Sequence, residues 1–126
     1  MAEGIHHVCT RFHAGIEMIG TRWTGAILRV VFTGSHRYAQ IKAAVPGLSD
    51  TMLAARLRTM EAEGLLRREV IPSTPVQVEY HLTEMARDLE PVLGELITWS
   101  HKWIPLPEEA GEDGGDGRDS SASRSA

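Results

Sequence analysis

A single cysteine, Cys9, stands among 126 residues, so no disulfide forms within the chain and a disulfide-stapled scaffold is excluded. No apolar run approaches the roughly 18 residues that cross a bilayer. The opening MAEGIHHVCTRFH has neither the charged head nor the apolar core of a signal peptide. A cytoplasmic protein with no membrane partner is expected. Also missing are a Gly-rich phosphate loop, a nucleophile elbow and an HExxH pair. Glu61 and Glu63 flank a helix end, and Glu108 and Glu109 fall in a polar tail. No carboxylate pair is set up for acid–base work, so neither enzymatic activity nor a cofactor is expected. His6, His7, Cys9 and His13 place four metal-binding side chains within eight residues. They lack a recognised zinc spacing, and no metal ligand is assigned.

Large apolar residues are absent after Leu106, and from residue 105 onward the chain carries six acids and two arginines. Such a segment cannot bury enough surface to offset the entropy of ordering it, which predicts a disordered acidic tail over 105–126. Residues 1–11 read as a flexible N-terminal arm. Residues 12–104 remain as one folded domain, small enough that a partner chain would help stabilise it. The net charge of −4 conceals a division. Residues 20–68 hold eight bases and three acids, whereas residues 69–104 hold two bases and six acids. A basic half therefore precedes an acidic one.

Along the basic half the apolar period is helical. A short candidate covers 14–19. Thr21 then precedes Trp23, Ile27, Val30 and Val31 as a capping hydroxyl, with Gly34 as the stop. Tyr38, Ile41 and Val45 recur at spacings of three and four and close on Pro46 and Gly47. Ser49 restarts the pattern as an N-cap, with Leu53, Leu57 and Met60 facing inward and Gly64 placed for a left-handed stop. After Gly64 the period falls to two. Leu66 and Val70, then Val76, Val78, Tyr80 and Leu82, alternate with polar residues as half-buried strands do. Pro72-Ser73-Thr74-Pro75 between them cannot continue a ladder and is a loop. Thr83 caps a last helix reaching about Trp103, in which Pro91 removes the hydrogen bond to Arg87 and predicts a kink. The order is that of a mostly helical α+β fold: a winged helix-turn-helix with a two-stranded wing and a C-terminal dimerisation helix.

The helix after Pro46 offers a particular face to a partner. At about 100° per residue, Thr51, Ala54, Ala55 and Arg58 lie opposite Leu53, Leu57 and Met60. Small side chains there let the backbone approach the floor of a major groove. Ser49, Asp50 and Thr51 sit in the cap and first turn, the part that reaches base edges in this geometry, and Arg58 is long enough for a guanine edge or a phosphate. Arg56 lies nearer the core flank, as a phosphate contact or an internal ion pair. Arg37 and Lys42 are on the preceding helix, which would cross the backbone. Arg67 and Arg68 open the hairpin, and strand alternation lets at most one of those two face the duplex. A winged-helix module that binds protein without reading DNA is the alternative; a steep salt dependence of binding separates the two.

Ile19-Gly20-Thr21-Arg22-Trp23-Thr24, Ile27-Leu28-Arg29, Arg37-Tyr38, Pro46-Gly47-Leu48-Ser49, Arg56-Leu57-Arg58, Gly64-Leu65-Leu66-Arg67-Arg68 and Val78-Glu79-Tyr80-His81-Leu82-Thr83 together resemble the HxlR-type winged-helix transcription regulators, over about residues 14–103. The resemblance implies a homodimeric bacterial regulator that binds double-stranded DNA, with the helix after Pro46 in the major groove, the hairpin as wing and no catalysis. Three positions depart from the family pattern. Cys9 is followed by Thr10 where the family often has Pro, Gln77 stands at a wing position where a basic residue is common, and Ala86 stands where a Gly usually follows the Leu-Thr pair.

The closing helix carries a separate argument. Met85, Leu89, Val92, Leu96, Trp99 and Trp103 repeat at four and three, the spacing of a coiled-coil seam, and Leu93 and Ile97 begin a second stripe. One stripe can cover its own domain, while the other, left bare, would be adhesive. A homodimer through this helix, joined by Ile16 and Ile19, is expected. The signal sensed stays open between Cys9 as a redox sensor and a small-molecule effector in an apolar pocket near Trp23, Trp99 and Trp103.

Overall fold

A computed structural model describes residues 9–107. The arm and tail expected from the sequence fall, for residues 1–8 and 108–126, outside the described part. The elements in order are α1 (Thr10–Gly20), α2 (Thr24–Phe32), α3 (Tyr38–Ala44), α4 (Asp50–Ala62), β1 (Leu66–Ile71), β2 (Gln77–Leu82), α5 (Glu84–Arg87) and α6 (Glu90–Trp103). The chain divides into two compact units, Met1–Glu90 and Pro91–Ala126. The division falls at Pro91, inside the stretch that the sequence reads as one domain.

In the first unit α2, α3 and α4 bury one face each and the hairpin closes the core. Ile27, Leu28, Ile41, Leu53, Leu57, Met60 and Leu65 are all at most 1% exposed. At about 1.5–3 kcal/mol for each such side chain fully buried, this cluster is the main favourable term of the fold. Thr21 does not cap α2 as its sequence position suggests. It follows α1, and its hydroxyl donates to the Glu17 carbonyl at 2.8 Å. The residue before α2 is instead Trp23, in the left-handed region at φ 76°. That conformation is costly without a glycine. It brings the indole to the turn between α3 and α4, where a Cβ on Gly47 would lie 3.8 Å from Trp23 Cη2. Gly47 itself has φ +88°, a conformation that suits glycine in a turn this tight.

α4 begins and ends as its sequence directs. The Met52 amide donates to Ser49 Oγ at 3.1 Å. At the other end Gly64 takes φ +87°, and the amides of Gly64 and Leu65 donate back to the carbonyls of Glu61 and Met60. Ser49→Ala should therefore cost about 1 kcal/mol of stability. The check is a lower urea midpoint with an unchanged slope, and no change in midpoint would mean that this cap does not hold the helix.

β1 and β2 pair antiparallel, with Leu66 opposite Leu82 and Ile71 opposite Gln77. Only the base of the hairpin is buried: Leu66 is 2% and Tyr80 8% exposed, while Val70 and Val76 stand at 48% and 62%. The alternation that predicts half-buried strands throughout thus overstates burial, because the outer part of the wing projects beyond the core. β2 also has a neighbour on its far edge. The Tyr80 amide donates to the His36 carbonyl at 2.8 Å, and Arg37 bridges to Glu79. Three helices with this hairpin against them form a winged helix.

Thr83 joins the hairpin to α5. Its hydroxyl donates to the Gly64 carbonyl at 2.6 Å and accepts from the Ala86 amide at 3.1 Å. The single long helix expected after it, with a kink at Pro91, is instead two helices, interrupted at Asp88 and Leu89 before Pro91 is reached. Pro91 falls in the first turn of the new helix α6, where a missing N–H is tolerated. Along α6, Val92, Leu96, Trp99 and Trp103 are 48% to 61% exposed, whereas Leu93 is 7% exposed.

Candidate nucleic-acid interface

The short α3, the turn at Gly47 and α4 set α4 with its N-terminal turn in solvent. Ser49, Asp50 and Thr51 are exposed, Ala54 and Ala55 are half-buried beside them, and Arg58 is exposed one turn further along. The alanines leave the α4 backbone open to close approach. Asp50 is held in place: the Tyr38 hydroxyl donates to its carbonyl at 3.2 Å and to Oδ1 at 3.4 Å, and Lys42 Nζ stands 3.9 Å from the same oxygen. Burial, and after it the Asp50 carboxylate, push the Tyr38 phenol upward from its ordinary value, which keeps its hydroxyl protonated as a donor.

The basic residues separate into two groups. Arg37, Lys42 and Arg67 have acidic partners within the chain, Glu79 at 3.9 Å, Asp50 at 3.9 Å and Glu69 at 3.5 Å. Among the described residues Arg58 and Arg68 have no ion pair. Both line one depression of about 410 Å³ with Tyr38, Ala54, Glu61 and Tyr80. Glu61 is the one acid in that lining, and the depression lies where α4 meets the wing. Gln77, at the outer start of β2, is half-buried. Among the described residues Arg56 has no carboxylate partner. Its Nε is buried without a partner and its Nη2 lies 3.8 Å from Met52 Sδ, so the ion pair considered for it is not formed with any described residue.

The residues expected at a seam are also placed. Ile16 and Met85 are 53% and 46% exposed, as the outer stripe of α6 is, while Ile19, Leu89 and Ile97 are half-buried. Leu93, expected in the seam, is buried in the single chain and has little surface left to give. α1 buries none of its side chains, and its Phe12 is 64% exposed. An apolar depression of about 370 Å³ lies beside it, lined by Ala14, Met18, Ile19, Met85 and Leu89 among others. Of the rings expected near an effector pocket, two lie beneath cations. Trp23 lies under the Arg22 guanidinium at 5.1 Å, and Trp103 under the Lys102 ammonium at 5.3 Å. Cys9 is exposed, free and at the N-cap of α1.

Sequence reading overlooks the Arg37–Glu79 bridge and the cluster of Glu69, Glu79 and His81 on the wing face. Their signal is the hairpin register, which sets Glu69 opposite Glu79.

The HxlR-like helix-turn-helix family matches residues 18–108. The uncharacterised HTH-type transcriptional regulator YvaP of Bacillus subtilis is 41% identical over 97 residues, covering 77% of this chain and 90% of that protein. The HTH-type transcriptional regulator YodB of the same organism is 34% identical over 96 residues, covering 76% and 86%. Among solved structures, the redox regulator HypR in its oxidised form superposes with a TM-score of 0.71 at 30% identity, covering 76% of this chain and 99% of that one.

Proposed function

This chain belongs to the HxlR-like helix-turn-helix family of transcriptional regulators, and from that premise we propose that it binds a palindromic duplex as a homodimer, with α4 in the major groove and the wing along the backbone. The observation that carries the reading is the pairing of Arg58 with Arg68 at one depression, neither with an ion pair among the described residues, beside the exposed first turn of α4. Thr51, Asp50 and Arg58 face base edges; Arg37, Lys42 and one of Arg67 and Arg68 hold phosphates, with Gln77 and Ser49 as polar contacts at the wing and the cap. Two-fold symmetry presents two copies of α4 to successive major grooves about 34 Å apart. The exposed stripe of α6 is a surface that a second copy covers, and the exposed Phe12 and Ile16 of α1 are a second such contact.

HypR is a redox regulator whose oxidised form has been solved. Cys9, free and exposed, is the side chain on which such a signal would act here. The regulator works in the cytoplasm, where bacterial DNA lies, and performs no chemistry of its own.

Salt tests the reading. Three phosphate contacts per protomer, six per dimer, give a log–log slope of affinity against salt of about −5. Fluorescence anisotropy with a labelled operator duplex over a salt series measures it. A flat response would reject DNA as the partner and leave the protein-binding alternative.

A further inference from the structure

We propose that the wing holds a divalent transition-metal ion of the zinc class between Glu69, Glu79 and His81. In the hairpin register Glu69 faces Glu79 directly, and His81 lies two residues along β2, so all three share one face of the ladder. One ligand atom of each lies within 4.8 Å of the other two. His81 Nε2 stands 2.9 Å from Glu79 Oε1 and 3.4 Å from Glu69 Oε1. A tetrahedral ion about 2.0–2.2 Å from nitrogen and oxygen ligands sets those ligands about 3.4 Å apart. The His81–Glu69 separation already matches that spacing, and the His81–Glu79 separation falls short of it by about half an ångström.

Two carboxylates directly opposite each other on paired strands repel, and here each already has an arginine at its outer side, Arg37 on Glu79 and Arg67 on Glu69. Arg37 meets Glu79 through its other oxygen, Oε2, at 3.9 Å, which leaves Oε1 to the cluster and orients the carboxylate as an outer partner does. Arg67 shares Glu69 Oε1 at 3.5 Å, but its side chain is 60% exposed and is free to turn to solvent. The imidazole is fixed from a third side: the His36 ring stacks on His81 with centroids 4.9 Å apart. Glu79 and His81 side chains are only 23% and 24% exposed, so two of the three donors are already partly withdrawn from water. One imidazole and two carboxylates suit zinc and its neighbours better than calcium or magnesium. An ion there would join β1 to β2 beyond their backbone ladder.

The test uses the full chain without DNA, so its outcome is separate from that of the DNA-binding proposal. Zinc is titrated by calorimetry, and cobalt by its visible absorption, into protein carrying His6→Ala, His7→Ala, Cys9→Ser and His13→Ala, which removes the N-terminal donors. One ion per chain and a raised melting temperature are expected. Added to that background, His81→Ala and Glu69→Gln should each weaken binding by at least about tenfold, as loss of even an outer-shell partner does, with far-ultraviolet circular dichroism unchanged. Absence of stoichiometric binding, or binding unaltered in both variants, overturns the site.

Discussion

Leu96→Glu is expected to turn the protein into a well-folded monomer that has lost almost all affinity for its operator. Leu96 is 48% exposed in the single chain, so the chain's own core does not depend on it. In the proposed dimer it sits midway along the seam of Val92, Trp99 and Trp103, where a carboxylate from each copy would be withdrawn from water without a partner. The two effects are therefore separable. Light scattering should report the mass of one chain, while circular dichroism and the melting curve of the monomer remain those of a folded protein. DNA affinity should fall by about 10² or more, because the second half-site no longer benefits from the effective concentration that linkage provides. Leu93 supplies the contrast. At 7% exposure it belongs to the buried set, and Leu93→Ala should lower stability by about 2–5 kcal/mol whatever the oligomeric state. A Leu96→Glu protein that still has the mass of two chains would remove α6 from the interface.

The helix-turn-helix was legible in the sequence because each of its boundaries rests on a local device. Ser49 as a cap, Gly47 and Gly64 at positive φ, and the inward spacing of Leu53, Leu57 and Met60 each act within a few residues, so no distant contact is needed to read them. The hairpin was legible for the same reason, through its change of period and its Pro-containing loop. What escaped depends on contacts across the fold. Thr21 looks like an N-cap, yet the preceding helix claims its hydroxyl, since α1 runs from Thr10 to Gly20, beyond both ends of the candidate at 14–19. The β2 edge takes a second backbone partner at His36 and Arg37 that no alternation announces. Val70 and Val76 alternate as core residues do, but there is no core opposite them. Of the candidate site, the residues on α4 were legible from helical geometry. The separation of Arg58 and Arg68 from the paired Arg37, Lys42 and Arg67 was not, because it depends on which acid the fold brings within reach.

That separation makes Arg58→Ala the informative substitution at the interface. Arg58 is exposed and has no ion pair among the described residues, so its removal leaves no buried charge behind and should change stability by no more than about 0.5 kcal/mol. Any loss of affinity then reports on the complex. A bidentate contact to a guanine edge predicts a loss of about 1–3 kcal/mol, roughly 5- to 150-fold, on the operator and a smaller one on random duplex, with relaxed preference at a single base position. A phosphate contact predicts equal loss on both duplexes and a salt slope shallower by about 1 per protomer. Arg68→Ala separates the two roles at the same depression. If Arg68 is the one of the two wing arginines that holds a phosphate, its removal should reduce the slope without changing base preference. If neither substitution weakened binding, the depression between α4 and the wing would not be where the duplex lies, and the unpaired charge there would need another explanation.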